Sequence, residues 1–280
     1  MPSVTDKRRE FHRLHQSGCF VLPNPWDIGT ARYLQSLNYK ALATTSAGFA
    51  FREGYPDNRV TRQMVLDHSA EIAEATDLPV NADFEGGFAH DPEGVAESVR
   101  LCAQTGVSGL SIEDSTGDPS KPLYDFDLAI ARIRAARQAL DNAAPDVLLT
   151  ARHEGFLVGR PDIDEAVRRL KAFADAGADC LYAPGVRTLD QIKTLVNAVK
   201  PKPVNIIIAW KTDLTVAQIA AQGARRISLG SAPARAAWGA LMRSSKEIAE
   251  HGTFNGYDGA AMSADLNKLF GEDLKKRGIS

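Results

Sequence analysis

The chain has no hydrophobic run that approaches the ~20 apolar residues a membrane-spanning helix needs, and it has only three cysteines. Cys19, Cys102 and Cys180 are odd in number and far apart, which excludes a disulfide framework and the close spacing of a thiolate metal site. Each lies in an apolar context and is expected as a buried thiol. Net charge is equally scarce. With 33 Lys and Arg against 35 Asp and Glu the balance is −2, so nothing favours nucleic acid or an anionic membrane as partner. The first ten residues lack the apolar core of a signal peptide, and the expected location is cytoplasmic. No linker rich in Pro, Gly or Ser divides the 280 residues, and a globule of that length buries roughly three quarters of its unfolded surface.

What is present is a rhythm. Eight short apolar runs alternate with longer helical patterns, the signature of strand-helix units around a parallel sheet. The expected strands are 19–22, 41–45, 79–84, 109–112, 147–150, 179–182, 204–209 and 226–229. Asp27 and Asp162 are placed to cap helices, and Gly177 and Gly223 fall where helices stop before strands. A loop is expected through 51–57, helices around 64–75 and over 234–242, and a last helix capped by Ser263. Eight strands and eight helices in about 240 residues predict one closed (β/α)₈ barrel. The whole chain, 1–280, is therefore expected as a single α/β domain, with 244–280 as a C-terminal helical extension available to a partner subunit.

Active sites in such barrels lie at the carboxyl ends of the strands. Here those ends read Ser46, Asp83 with Glu85, Glu113 with Asp114, Arg152 with Glu154, and Asn205. Charged groups are unneeded at the ends of core strands, so their coincidence marks a site. Residues i and i+2 of a strand face the same side, which aims Asp83 and Glu85 at one spot. Two close carboxylates repel, and a hard cation such as Mg²⁺, with Mn²⁺ as the other option, relieves them. Arg152 offers a planar fork for a substrate carboxylate. Backbone amides near Ser46, Ala47 and Gly48, with the Ser46 hydroxyl, can bind the same oxygens. A metal and an arginine describe a site for a small 2-oxo acid, whose enolate they stabilise. The residues after Arg152 offer a base. On a continuing strand Glu154 faces with Arg152 and His153 faces away, which favours Glu154. Tyr182, Asn205 and Trp210 are further lining candidates.

The stretches Thr44-Thr45-Ser46-Ala47-Gly48, Gly54-Tyr55-Pro56-Asp57, Asn81-Ala82-Asp83-Phe84-Glu85-Gly86-Gly87, Ser111-Ile112-Glu113-Asp114 and Thr150-Ala151-Arg152 together resemble the isocitrate lyase and phosphoenolpyruvate mutase superfamily. The resemblance covers nearly all of the chain. It implies a Mg²⁺-dependent (β/α)₈ barrel that makes or breaks C–C or P–C bonds through a pyruvate-type enolate. It also implies that Asp83 is the central metal carboxylate, with Glu85, Glu113 and Asp57 supporting the metal through waters. Ser46 and Gly48 would then hold the substrate carboxylate and Arg152 its oxygens. A C-terminal helix exchanged between the subunits of a homo-oligomer, dimer or tetramer, belongs to the same implication.

Departures from the family narrow the reading. Glu85 stands where an Asp is common. No Lys-x-Cys-Gly-His loop is present, 115–122 lacks the Lys-x-Asn-Ser pattern of the mutases, and Ala183-Pro184-Gly185 stands where mutases carry a phosphoryl-binding histidine. Lys121 reads as a solvated loop lysine. The leading expectation is a Mg²⁺-dependent lyase of a small 2-oxo or 2-hydroxy acid, cleaving a C–C bond or decarboxylating an oxaloacetate-type substrate, with Arg152, Glu113 and Glu154 as catalytic groups. The alternatives are a mutase or phosphonopyruvate hydrolase acting on a P–C bond and, from another class, a barrel that binds a metabolite without turning it over.

Overall fold

Each of the eight apolar runs forms a strand, and all pairings between them are parallel. In the computed structural model, which describes residues 2–278, the strands are β1 (Phe20–Leu22), β2 (Leu42–Ala43), β3 (Val80–Asp83), β4 (Gly109–Glu113), β5 (Leu148–Arg152), β6 (Cys180–Tyr182), β7 (Val204–Ile207) and β8 (Arg226–Ser228), in sheet order β1-β8-β7-β6-β5-β4-β3-β2. The barrel closes between β1 and β2 without a ladder among the described residues. Ala43 N–H donates to Pro23 O at 3.0 Å. The buried Asn24 side chain then ties three strand ends, donating to Thr44 O at 2.8 Å and accepting the N–H groups of Leu229 and Gly230 at 2.9 and 2.8 Å.

Alternation along the strands separates core from site. On β3, β4 and β5 the residues Val80, Ala82, Leu110, Ile112, Leu149 and Ala151 face outward into the apolar layer under the helices. Burying each large aliphatic side chain there contributes about 1.5–3 kcal/mol. Asn81, Asp83, Ser111, Glu113, Thr150 and Arg152 take the intervening positions and face the barrel interior.

The surrounding helices are α1 (Val4–Gln16), α2 (Ile28–Ser36), α3 (Ser46–Arg52), α4 (Arg62–Ala75), α5 (Pro92–Ala103), α6 (Phe126–Ala143), α7 (Ile163–Asp175), α8 (Leu189–Val199), α9 (Val216–Ala221), α10 (Ala232–His251) and α11 (Ser263–Lys276). Asp27 caps α2 and Asp162 caps α7 through their side chains. Gly177 and Gly223 adopt φ of +104° and +92° before β6 and β8, a conformation that favours glycine.

Several local expectations need correction. Helix α1 was not anticipated. Ser3 and Asp6 cap it reciprocally, and Phe11 and Leu14 on its inner face pack with Phe20, Leu148 and Cys180 beneath the barrel. Helix α3 begins at Ser46 and runs into the start of the loop expected through 51–57, because Thr45 Oγ1 accepts the Gly48 N–H and nucleates it. Strand β3 stops at Asp83. Glu85 lies in the following turn at φ 47°, so the strand spacing that aimed it at Asp83 does not apply. Ser263 is the first residue of α11 and not its cap, which is Met262. Helix α10 runs well past 234–242, ending at a left-handed Gly252. Of the three cysteines, Cys102 and Cys180 are buried as expected, while Cys19 is half-buried.

Candidate active site

The carboxyl ends of β3, β4 and β5 bring one arginine into the midst of three acids. Arg152 ends β5, and its Nη1 lies 2.6 Å from Asp83 Oδ1 at the end of β3. Its Nη2 lies 3.2 Å from Glu113 Oε2 at the end of β4 and 2.9 Å from Glu154 Oε1 two residues further on. Parallel pairing of Glu113 with Arg152 sets this arrangement directly. The guanidinium sits 5.1 Å from the centre of the Tyr182 ring, at the end of β6. Burial disfavours its charge, but Glu154, Glu113 and Asp83 outweigh burial and raise its pKa well above the ordinary value.

Asp83 is held from two more sides. Its Oδ2 accepts the Ser46 N–H at 3.0 Å, from the first turn of α3. Its own N–H donates to Thr44 Oγ1 at 2.8 Å. Of the residues expected to bind substrate oxygens, Ser46 therefore reaches the cluster, and Ala47 follows it in the same turn. Gly48 does not. Its N–H turns back to Thr45, and a Cβ there would lie 2.5 Å from Thr45 Cγ2 and 3.4 Å from Trp26, so it serves close packing.

Glu85 is the anomalous member. The turn that carries it is pinned from below by the buried Arg132, which donates to Gly86 O, to Ala89 O at 2.5 Å and to His90 O at 2.8 Å. A left-handed conformation costs a non-glycine residue about 1–2 kcal/mol, and this turn holds both Glu85 and Phe88 there, at φ 47° and 55°. The reward is a carboxylate folded back beside Asp83. Its Oε1 is buried with no hydrogen-bond partner. Burial first, then Asp83 and Asp57, push its carboxyl up to about 8. Glu113 is likewise raised well above its ordinary value, by burial first and then by Glu154, Asp83 and Glu85 against the opposing Arg152. Asp57 lies at the solvent edge of the cluster on the loop after α3. Protein crowding on its inner side, then Asp83, raises its carboxyl, while a hydrogen bond with the Ser46 side chain opposes the rise.

Among the described residues, no three acidic, histidine or cysteine side chains converge so as to enclose a metal ion by themselves. The donor set still fits a hard divalent cation of the Mg²⁺ type, which is commonly held by one or two carboxylates with waters and substrate oxygens completing the shell. Asp57, Asp83, Glu85, Glu113 and Glu154 face a single guanidinium, and one buried carboxylate oxygen lacks any partner. Positive charge is what this group of acids is short of.

Below the cluster lies a cavity of about 60 Å³ lined by Asp83, Arg152, Tyr182, Asn205 and Arg226. Asn205, expected to bind substrate, is 1% exposed. Its Oδ1 accepts from Arg226 Nε at 2.9 Å and its Nδ2 donates to Ser228 Oγ at 3.0 Å, so it braces the floor. Arg226 also donates to Thr150 Oγ1 at 3.0 Å and faces His15 Nε2 at 3.4 Å. Burial and then that guanidinium push His15 down to about 3, keeping it neutral. Arg226 was passed over in the sequence, although a charge opening the apolar run 226–229 signalled an inward-facing polar layer. A second cavity, about 200 Å³, opens beside Glu85 and Glu113 and is walled by His90, Thr116 and Tyr124.

The model of a family described as phosphoenolpyruvate phosphomutase matches residues 11–249. An uncharacterized protein of Mycobacterium tuberculosis is 32% identical over 243 residues, 86% of this chain and 89% of that protein. An oxaloacetate decarboxylase of Paraburkholderia xenovorans is 29% identical over 206 residues, 70% of this chain and 67% of that protein. A solved structure from Burkholderia cenocepacia, provisionally named a lyase/mutase, is 44% identical with a TM-score of 0.92, covering 96% of this chain and 97% of that one.

Proposed function

The chain belongs to the phosphoenolpyruvate phosphomutase family, within the isocitrate lyase and phosphoenolpyruvate mutase superfamily, and from that premise we propose that it is a Mg²⁺-dependent lyase of a small 2-oxo or 2-hydroxy acid. The observation that carries this reading is the group Asp83, Glu85 and Glu113 around Arg152, with a buried Glu85 oxygen left without a partner. Asp83 would hold the cation, supported by Glu85, Glu113 and Asp57. When bound, Mg²⁺ supplies positive charge beside the carbonyl oxygen that gains electron density in an enolate.

The chain's own groups do the rest. Arg152 exchanges one of its carboxylate partners for the substrate carboxylate, and its fork fixes the plane of that group. The Ser46 N–H, at the start of α3, holds the Asp83 carboxylate beside that space. Glu154 has its carboxyl raised by burial first, with Asp114 adding to the rise against Arg152, so its Oε2 or Oε1 can hold a proton nearer neutral pH than an ordinary glutamate. It takes the hydroxyl proton of a 2-hydroxy acid as the C–C bond breaks and gives it to the carbanion carbon of the departing fragment, or gives a proton to the enolate carbon after decarboxylation. An oxaloacetate-type substrate needs only the second step. The oxaloacetate decarboxylase relative supports that branch.

The same reading places the enzyme in the cytoplasm as a homo-oligomer. No helix among the described residues is long and apolar enough to cross a membrane, and α10 exposes Trp238, Leu241 and Met242 on one stretch.

The test is pyruvate release from oxaloacetate, methylisocitrate, 2-oxo-4-hydroxy acids and phosphonopyruvate, with Mg²⁺ and with EDTA. Release from a carbon acid that EDTA abolishes is expected. Release from phosphonopyruvate alone would move the chain to P–C chemistry, which the description of the matching family model keeps in the panel. Binding of Mg²⁺ and oxalate without any turnover would make it a metabolite-binding barrel.

A further inference from the structure

Just outside the acidic cluster, Asp114 holds a buried network that the reading above leaves without a task. Strand pairing ends at Arg152, and the next two residues must be fixed by something else. His153 N–H still finds Tyr182 O at 2.8 Å. Glu154 N–H has no ladder partner, and Asp114 Oδ1 accepts it at 2.8 Å. The other oxygen, Asp114 Oδ2, accepts from His153 Nδ1 at 2.8 Å and from Arg169 Nη1 at 3.0 Å. Asp114 N–H in turn donates to Arg152 O at 3.1 Å. The carboxylate thus grips the Glu154 backbone and the His153 side chain within the very turn whose geometry decides where Glu154 points.

The ring of His153 is locked as well. A Cβ at Gly155 would lie 2.5 Å from His153 Nε2, so the imidazole fills the space that any other residue at 155 would need. Arg169, from α7, also donates to Tyr124 O at 3.0 Å, and Tyr124 N–H donates to Asp114 O at 2.9 Å. The 152–154 turn is thus held by the Asp114 carboxylate, by Arg169 behind it and by the packing of the His153 ring on Gly155.

We propose that Asp114, braced by His153 and Arg169, is a positioning residue that fixes the Glu154 carboxylate against Arg152 for proton transfer. The inference rests on the assignment of Glu154 above. A misplacement of about 1 Å in such a group costs on the order of 10²-fold in rate. Peptide and side-chain contacts of this kind act on kcat through Glu154 and leave substrate affinity largely alone.

The experiment is a double-mutant cycle on pyruvate release by the Mg²⁺-loaded enzyme, with Asp114→Asn, Glu154→Gln and both together. Asp114→Asn is expected to lower kcat about 10- to 100-fold with KM within about threefold, and to lower it no further in the Glu154→Gln background. Additive losses in the cycle, or an unchanged kcat in a folded Asp114→Asn, would overturn the inference. Full activity of Glu154→Gln would instead overturn the assignment of Glu154. Should Asp114→Asn not fold, Gly155→Ala displaces the His153 ring with the Asp114 charge intact, and the same loss, absent in Glu154→Gln, is expected. A crystal structure of either variant reads the claim without turnover: Glu154 displaced from Arg152 supports it, and an unmoved Arg152–Glu154 pair refutes it.

Discussion

Glu113 and Asp114 are neighbours in sequence and opposites in surroundings. The Glu113 side chain turns into the barrel mouth among Asp83, Glu85 and Glu154, where one shared guanidinium is its cationic partner and its proton is held well above the ordinary range. The Asp114 side chain turns outward, is 2% exposed, and meets His153, Arg169 and the Glu154 N–H. One residue of pleat separates a group short of positive charge from a group fully supplied with donors. A carboxylate with all of its hydrogen bonds made serves the fold; one kept partly without them is available to a ligand.

The largest expected effect sharpens that contrast from the inner side. Asp83→Asn should cut Mg²⁺-dependent turnover by about 10³-fold or more, roughly 4 kcal/mol of barrier, and cost the metal-free protein little stability, because Arg152 keeps Glu113 and Glu154 as partners. A steady-state assay with thermal unfolding of the same sample checks both halves. Retained activity would remove Asp83 from the centre of the site.

The outer side should respond in the reverse sense. Asp114→Ala leaves His153 Nδ1 and the Glu154 N–H buried without their acceptor and takes one of two acids from Arg169, and removing one partner of a buried ion pair costs about 3–5 kcal/mol. Glu113→Gln removes a carboxyl whose charge burial already disfavours, so metal-free stability should change by less than about 1 kcal/mol or rise. Denaturant melts of the two variants compare them directly. Equal losses would break the distinction.

Glu85 turns the contrast into a pH dependence. Its carboxyl lies at about 8 in the fold against 4.5 ordinarily, so the unfolded chain releases this proton first. Stability of the metal-free protein contributed by the protonated group is full below about pH 4.5 and is lost as pH rises toward about 8, by about 3–5 kcal/mol. Glu85→Gln should flatten that loss, and so should added Mg²⁺. Melting temperatures between pH 5 and 8.5, with EDTA and with Mg²⁺, measure it. A loss of equal slope in the wild type and in Glu85→Gln would assign the dependence elsewhere.

The sequence made the core far easier to read than the site. Each strand was visible because a parallel strand buried on both faces reads as a short apolar run, and Asp27 and Asp162 announced their helices by cap chemistry. Asp83, Glu113 and Arg152 were visible because a charge at the end of such a run has no packing purpose. Glu85 was found for the wrong reason. It reaches Asp83 through a left-handed turn pinned by Arg132 from a helix more than forty residues away, which no local spacing encodes. Asn205 faces the interior, as alternation shows, but its hydrogen bonds to Arg226 and Ser228 come from a neighbouring strand and are not legible in its own spacing. Asp114 shared its stretch with Glu113, and only the structure shows which of the two faces inward. Helix α1 escaped the strand-helix rhythm because it precedes the first apolar run, although Ser3, Asp6, Phe11 and Leu14 carried both a cap and an apolar stripe.

The smallest expected effect lies on the loop between β4 and α6, where Lys121 pairs with Asp125 at 2.6 Å with both side chains largely in solvent. Exposed pairs of this kind contribute about 0–1 kcal/mol and are screened by salt. Lys121→Ala should therefore shift stability by less than about 0.5 kcal/mol and leave kcat within about twofold. The loop is fastened at its base by Thr116 N–H to Pro122 O and by Tyr124 N–H to Asp114 O, so a substitution at its tip should leave Asp114 and Glu154 in place. A drop in kcat of tenfold or more with unchanged stability would mean that the tip folds over the acidic cluster during turnover and brings Lys121 to it. The positive charge that the inner cluster is short of would then come partly from a surface residue, and the boundary between the two regions would shift with the loop.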